Sequence, residues 1–262
     1  NLVAGQKQYK LVLCKPQICK SHELIRVGIY QMGTQILDYI SSKMDVFVVS
    51  IFFDMGTLGI YNLAKELVLK SVTIITSIVN KVLLPVLSER QDNMEELKKM
   101  FKSFLSKLSL FNAPLVAIIF LFSPLIVNIF YGKQYAEAYD IVKIMAIWSL
   151  FVILVRPNGL VALAMKRTDI AFKYTIIRLF IMGTLLLLFS RHSLQFTAYT
   201  MVVSYFIMML VNWKMIFHTT IKMSLKEYLS TLKPAWIILI ILPTLNFFTD
   251  NILSWEKILY YL

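Results

Sequence analysis

Residues 59–88 read GIYNLAKELVLKSVTIITSIVNKVLLPVLS. Most of this stretch is apolar enough to enter a bilayer, yet it carries Lys65, Glu66, Lys70 and Lys81. On a helix at 100° per residue, Asn62, Glu66, Lys70, Thr73, Ser77, Asn80 and Lys81 fall within an arc of about 100°. Leu63, Leu67, Val68, Ile74, Ile75, Val79 and Val82 cover the rest of the surface. Lys65 lies off the stripe, near one end, where its aliphatic stem lets the ammonium snorkel to water. A charge at the bilayer centre costs about 2.5–3.5 kcal/mol. Such a stripe is therefore expected to face protein or water rather than lipid.

The run before it repeats the pattern. In VGIYQMGTQILDYISSKMDVFVVSIFF, Gln31, Thr34, Gln35, Asp38, Ser41, Ser42 and Asp45 share one helical face of about 120°. Asp38 and Asp45 stand two turns apart on the same side, and Lys43 lies off that face. Two antiparallel helices with facing polar stripes make the wall of a hydrated cavity. The competing reading is a set of structural ion pairs, such as Glu66 with Lys70, that lock helices together.

Working outward, the whole chain of 262 residues is 58% apolar, with a mean hydropathy of +0.69. Soluble domains hold about 45–50% apolar residues, so this composition points to a membrane protein. The apolar runs are continuous rather than alternating, which predicts an all-α polytopic helical bundle and excludes a β-barrel. Seven spans are expected, at about 25–52, 58–86, 108–131, 140–164, 170–190, 196–217 and 234–249. An eighth begins near 252, giving about 7–8 transmembrane helices. Spanning ~30 Å of hydrocarbon takes about 20 residues, so the first two are overlong and are expected to tilt or protrude.

The formal net charge is +12. The basic residues cluster in alternate loops rather than in a nucleic-acid-binding patch. One set carries Lys7, Lys10, Lys15, Lys20 and Arg26; Arg90, Lys98, Lys99, Lys102 and Lys107; Lys166, Arg167, Lys173 and Arg178; Lys214, Lys222, Lys226 and Lys233. The other set holds only Lys133, Arg191 and Lys257. The first set is expected to be cytoplasmic, with the residue 1 end inside and the first span running outward.

Residues 88–107, SERQDNMEELKKMFKSFLSK, with Leu108 just beyond, place Met94, Leu97, Phe101, Phe104, Leu105 and Leu108 at three- and four-residue spacing. That predicts an amphipathic helix lying at the cytoplasmic interface. Arg156-Pro157-Asn158-Gly159 interrupts the fourth span, and unwound backbone there would let Arg156 grip a phosphate through paired donors. Pro114 and Pro124 are expected to kink the third span. Cys14, Cys19 and His22 fit no standard metal site, and no cofactor is called for. No nucleophile–base, Walker or metalloprotease arrangement appears, so the reading is a non-enzyme.

With these features in place, the order of LIRVGIYQMGTQILDYISSKMDVFVV, LGIYNLAKEL, VLLPVLSE, SPLIVNIFYGKQYAEAYDIVKIMA and RPNGLVALAMKRTD resembles the Wzx-type polysaccharide and O-antigen exporters of the MATE/MOP superfamily. The resemblance covers about 24–170. Where that family usually has an Arg after Gly following the fourth span, this chain has Met165-Lys166-Arg167. The resemblance implies two pseudo-symmetric six-helix lobes around a central cavity. It implies that this chain is the second lobe: 1–24 a cytoplasmic inter-lobe linker, 25–217 the lobe, and 218–262 additional helices. Asn1 and the final ILYYL at 258–262 lead to the expectation of a piece of a longer protein, unable to transport without its N-terminal lobe.

The expected function is flipping of polyprenyl-pyrophosphate-linked oligosaccharide repeat units across the bacterial cytoplasmic membrane. Lys70, Lys81, Arg156 and Lys43 would attract the pyrophosphate, and Gln31, Gln35, Asn62, Ser77 and Asn80 would replace water around the sugar. Asp38, Asp45 and Glu66 are the candidates for coupling to a proton or Na⁺. A cation-coupled multidrug antiporter and a lipid II flippase are the nearest alternatives. A membrane-embedded glycan polymerase and a structural membrane subunit come from other classes. Short outer loops, about 53–57, 132–139 and 191–195, weigh against the polymerase.

Overall fold

The computed structural model describes residues 18–89 and 94–252, and those residues are almost wholly helical, with no strand. Two helices of 35 residues lead, α1 (Ile18–Phe52) and α2 (Met55–Glu89). Each is about 52 Å long at 1.5 Å per residue, well beyond the hydrocarbon thickness. The turn between them is made by Asp54. Its carboxylate accepts the Gly56 N–H at 2.9 Å, the Thr57 N–H at 3.4 Å and the Thr57 hydroxyl at 2.5 Å, capping the first turn of α2. These bonds hold the Asp54 carboxyl below its ordinary value, the Thr57 hydroxyl contributing most.

Next come α3 (Met94–Leu121) and α4 (Ser123–Tyr131). α3 runs through Pro114 without ending. The break falls at Phe122, just before Pro124 in the first turn of α4, where the missing proline donor is harmless. A 3₁₀ turn, Lys133–Tyr135, leads to α5 (Ala138–Val155) and α6 (Asn158–Ala164). Then follow α7 (Thr168–Phe189), α8 (Leu194–Asn212), a π-helical turn (Trp213–His218), α9 (Thr219–Ile221), α10 (Leu225–Thr231) and α11 (Lys233–Ile252). α3, α5 with α6, α7, and α8 extended to Ile221 are each long and apolar enough to cross a membrane, and the bent pair α10/α11 makes up to a fifth such span. α1 and α2 are longer, at 35 residues each, and are not among these, so the described residues hold four or five such spans where seven are expected. The all-α polytopic membrane fold is the one expected.

α5 is the central post. Met145, Trp148, Leu150 and Val152 are all buried, packed chiefly against α8, α3 and α2. α1 lies beside α7 instead, in parallel and in nearly constant register. Thr168 donates to the Val27 carbonyl at 3.4 Å, and further along Thr175 donates to Asp38 at 3.4 Å. Two glycines allow this approach. A Cβ on Gly33 would sit 2.7 Å from the Phe172 ring, and one on Gly183 would sit 3.0 Å from the Met44 sulfur.

Two expectations are corrected here. The 88–107 segment is not a separate interfacial helix; from Met94 it is the start of α3. Its stripe of Leu97, Phe101 and Leu105 is fully buried. Phe101 packs on Phe217 at 5.0 Å, and Phe217 on Tyr228 at 5.3 Å. An amphipathic stripe serves a lipid interface and a helix contact equally well, and the π-helical turn with α10 supplies the contact. Lys98 reaches Glu227 at 2.9 Å, and Ser109 accepts the Ala235 N–H at 3.2 Å, so the last helices are fastened to α3. The backbone at Arg156-Pro157 is not unwound either. Arg156 (φ −56°, ψ −35°) and Pro157 (φ −63°, ψ −11°) keep helical angles, and the proline interrupts hydrogen bonding while the chain continues as one rod. Residues 1–17, including Cys14 and most of the expected linker, and 253–262, where the eighth span would begin, lie outside the described residues, as do the side chains of Cys19 and His22.

Candidate functional site

Near the 53–54 turn, α1 and α2 are tied by a closed charge cluster. Tyr61 and Lys65, one helical turn apart on α2, both reach Asp45 on α1. Lys65 Nζ donates to Asp45 Oδ1 at 2.7 Å and to the Ser42 carbonyl at 2.9 Å. The Tyr61 hydroxyl donates to Asp45 Oδ2 at 2.7 Å. Asp45 and Tyr61 are fully buried and Lys65 is only 6% exposed. Both carboxylate oxygens are bonded, which is the condition for holding ionised groups away from water. Asp45 was expected on a cavity wall and Lys65 was expected to snorkel outward. Both are turned inward instead, because each supplies the counter-charge the other needs.

Toward the basic end of the bundle the two helices part, since α1 leans on α7 while α2 leans on α5 and α6. A half-open cavity of about 410 Å³ lies between α1, α5, α7 and α8. α1 contributes Asp38, Tyr39 and Ser42, α5 contributes Val152 and Val155, and Arg156 follows them at its end. α7 contributes Arg178 and α8 contributes Tyr205, whose ring is set edge-on to Trp148 at 5.5 Å. Arg178 donates through Nη2 to Asp38 Oδ1, while its Nε is buried and has no partner. Arg156 faces the open side, with a long contact to the Thr76 hydroxyl at 3.4 Å. Two guanidiniums thus confront one carboxylate. The cavity is electropositive, its valines and tyrosine keep the far wall apolar, and one guanidinium donor lacks an acceptor. Forked donors of this kind suit a phosphate or carboxylate.

The α2 stripe lies elsewhere. Glu66, Lys70, Thr73, Ser77 and Lys81 are exposed and Asn62 is half-buried. Glu66, Lys70, Thr73 and Ser77 line a shallow groove with Leu69 and Ile74 on the outside of the bundle. The face that α2 turns inward is Tyr61, Ala64, Lys65, Val68, Val72 and Thr76. The two stripes therefore do not face each other across one vestibule. Asp38 and Ser42 line the cavity, whereas the α2 residues form a second polar surface. On α1, Gln31 is half-buried, and Gln35 and Lys43 are exposed and do not line the cavity. The Asn80 side chain lies outside the described residues.

Arg178, Tyr205, Tyr61 and Lys65 were not among the expected site residues. The signal for Arg178 was available. It falls ten residues after Thr168, well inside the apolar run at 170–190, although charge counting had grouped it with the loops. Tyr61 and Tyr205 carried no comparable signal, since a tyrosine in an apolar run reads as core.

The sequence signature of polysaccharide biosynthesis proteins matches residues 8–140. The chain is 27% identical over 153 residues to the amylovoran biosynthesis protein AmsL of Erwinia amylovora, covering 58% of this chain and 39% of that protein. It is 28% identical over 145 residues to the teichuronic acid biosynthesis protein TuaB of Bacillus subtilis, covering 55% and 30%. It is 24% identical over 157 residues to the lipopolysaccharide biosynthesis protein WzxC of Escherichia coli, covering 60% and 32%. The matched part thus spans little more than a third of the length of these relatives, or less. No solved structure matches the chain.

Proposed function

Because the chain belongs to the polysaccharide biosynthesis protein family, we propose that it forms the second lobe of a flippase for polyprenyl-pyrophosphate-linked oligosaccharides. The carrying observation is the unpartnered Nε of Arg178 in an electropositive cavity that it shares with Arg156 and Asp38. In this reading the bacterial cytoplasmic membrane holds the protein with its basic end inside. The cavity opens on that side, and the Asp45–Lys65–Tyr61 cluster closes the far side. A pyrophosphate takes the free donors of Arg178 and those of Arg156, and competes with Asp38 for the rest. Asp38 then replaces the departing anion, so that Arg178 never stands uncompensated. That gives Asp38 the coupling role, with a proton or Na⁺ as its partner.

The α2 stripe of Asn62, Glu66, Lys70, Thr73, Ser77 and Lys81 serves the same pathway from its own surface, turned toward the N-terminal lobe. Rocking of the two lobes exposes the pathway to one side at a time. Two arginines disfavour the drug-cation antiporter, whose ligands need acidic and aromatic walls. The test is glycan export by the full-length protein carrying Arg178→Gln. Losing charge-assisted bonds of about 1.5–3 kcal/mol should lower export ten- to hundredfold with normal membrane abundance. Wild-type export by that variant and by Arg156→Gln would remove the phosphate role.

A further inference from the structure

The cavity of about 410 Å³ is lined by more than an anion uses. Its volume falls within the range of small-molecule pockets, about 300–1,000 Å³. An ionised pyrophosphate accepts hydrogen bonds and donates none, so its partners are the guanidiniums of Arg156 and Arg178. Two other groups on the same lining are acceptors. On Asp38, the Arg178 guanidinium and the Thr175 hydroxyl both bond Oδ1, and Oδ2 has no hydrogen bond among the described residues. One helical turn on, the Ser42 hydroxyl gives its proton to the Tyr39 carbonyl at 2.7 Å, which leaves its lone pairs for a ligand. The Ser42 carbonyl is itself held by Lys65 at 2.9 Å, so this turn of α1 is pinned.

α8 adds an aromatic face. Tyr205 is half-buried, and its ring is set edge-on at 5.5 Å against Trp148, which is buried and fixes its plane. Forked donors, spare acceptors and a fixed ring in one cavity match a ligand that carries an anion, hydroxyl groups and a C–H face together. A sugar joined to phosphate is such a ligand.

We propose that Tyr205, Ser42 and Asp38 Oδ2 seat the first sugar of the lipid-linked oligosaccharide, beside the pyrophosphate on Arg156 and Arg178. This rests on the flippase reading and adds to it a selection of glycosylated over bare carrier. The C–H face of the sugar packs on Tyr205, and two of its hydroxyls donate to Asp38 Oδ2 and Ser42 Oγ. Sugar contacts thus pass from Gln35, Asn62 and Ser77, which do not line this cavity, to α1 and α8. A bare carrier would set phosphate against Oδ2 with no hydroxyl between them, and the cavity disfavours it.

The test is native mass spectrometry of the purified full-length protein in detergent, with undecaprenyl pyrophosphate either bare or carrying a single glucose or galactose. At least one glycosylated lipid should bind about tenfold more tightly than the bare one, the worth of one hydrogen bond to a charged group. Tyr205→Leu should erase that ratio and leave the bare lipid unchanged, whereas Tyr205→Phe, which keeps the ring, should retain it. Asp38→Ala should lower the ratio while binding the bare lipid at least as tightly, because no carboxylate then opposes the phosphate. Arg156→Gln should weaken all three lipids equally. Ser42→Ala, which removes an exposed hydroxyl, should also lower the ratio, and this keeps the test decisive if Tyr205→Leu fails to fold. Equal binding of bare and glycosylated lipids, or a ratio unchanged in Ser42→Ala and Asp38→Ala, would overturn the sugar seat and leave the phosphate site standing. Binding of none of the three lipids would overturn the seat together with the flippase reading.

Discussion

α1 presents two carboxylates on one face, two turns apart, and each meets a cation from another helix. Asp45 is fully buried, with Lys65 and Tyr61 on its two oxygens. Asp38 has a side chain 48% exposed and shares one oxygen between Arg178 and Thr175. The chemistry is nearly the same and the surroundings are opposite. Enclosure turns the first pair into a fastening between α1 and α2. The second pair keeps its carboxylate half-exposed and leaves one guanidinium donor, Arg178 Nε, without an acceptor. Which neighbour each turn of α1 leans on decides the difference, because the separation of α1 from α2 opens only below the clasp.

The largest expected effect breaks this comparison at its closed end. Lys65→Met leaves Asp45 buried without a counter-charge, a loss of about 3–5 kcal/mol for pairs of this kind. Asp38→Asn takes a half-exposed carboxylate from the largely buried Arg178 and is expected to cost less, about 1.5–3 kcal/mol. Thermal unfolding of the full-length protein in detergent reads both. Equal shifts in the two variants would mean the two pairs do not differ in kind. Asp45→Asn/Lys65→Met should recover much of the loss, since an uncharged pair needs no compensation.

A middle-sized effect sharpens the comparison from the side of α7. Gly33 lets α1 approach Phe172 on the same stretch that holds Asp38 against Arg178. Gly33→Val drives a branched side chain into a ring that already lies 2.7 Å from where a Cβ would stand. Overpacking of this sort is destabilising by about 1–3 kcal/mol. It should also reduce export more than Gly183→Ala, which meets only the flexible end of Met44. If Gly183→Ala is the more damaging for export, the α1–α7 contact does not govern the open pair.

The helices themselves were legible from the apolar runs, and the first two expected spans, 25–52 and 58–86, fall within α1 and α2. The polar stripes were legible as stripes. Their rotation was not, because periodicity says which residues share a face but not what the face meets. Lys65 shows the limit most plainly. It looked peripheral because it lay off the polar arc of α2, and that offset is what points it at Asp45. Arg178 shows a different limit. It was placed by a tally of loop charges although its own helix carried it inward. Pro157 shows a third, since a proline and a glycine do not unwind a chain whose backbone keeps helical angles through them.

The smallest effect concerns the link beside the clasp. Asp54 caps α2 one residue after Phe53, and the clasp depends on α1 and α2 leaving that turn in the correct register. Its carboxyl sits below the ordinary value of 3.8 because the Thr57 hydroxyl and the Gly56 and Thr57 amides bond the ionised form. A depressed folded value means that the cap's contribution is complete above pH 3.8 and fades as the pH falls through the lower folded value. The unfolding midpoint of Asp54→Ala should therefore lie slightly below that of the unaltered protein at neutral pH. The gap should close only on strong acidification. A gap between Asp54→Ala and the unaltered protein that stays constant into strong acid would mean the turn is held by packing, and that register at the closed end owes nothing to the cap.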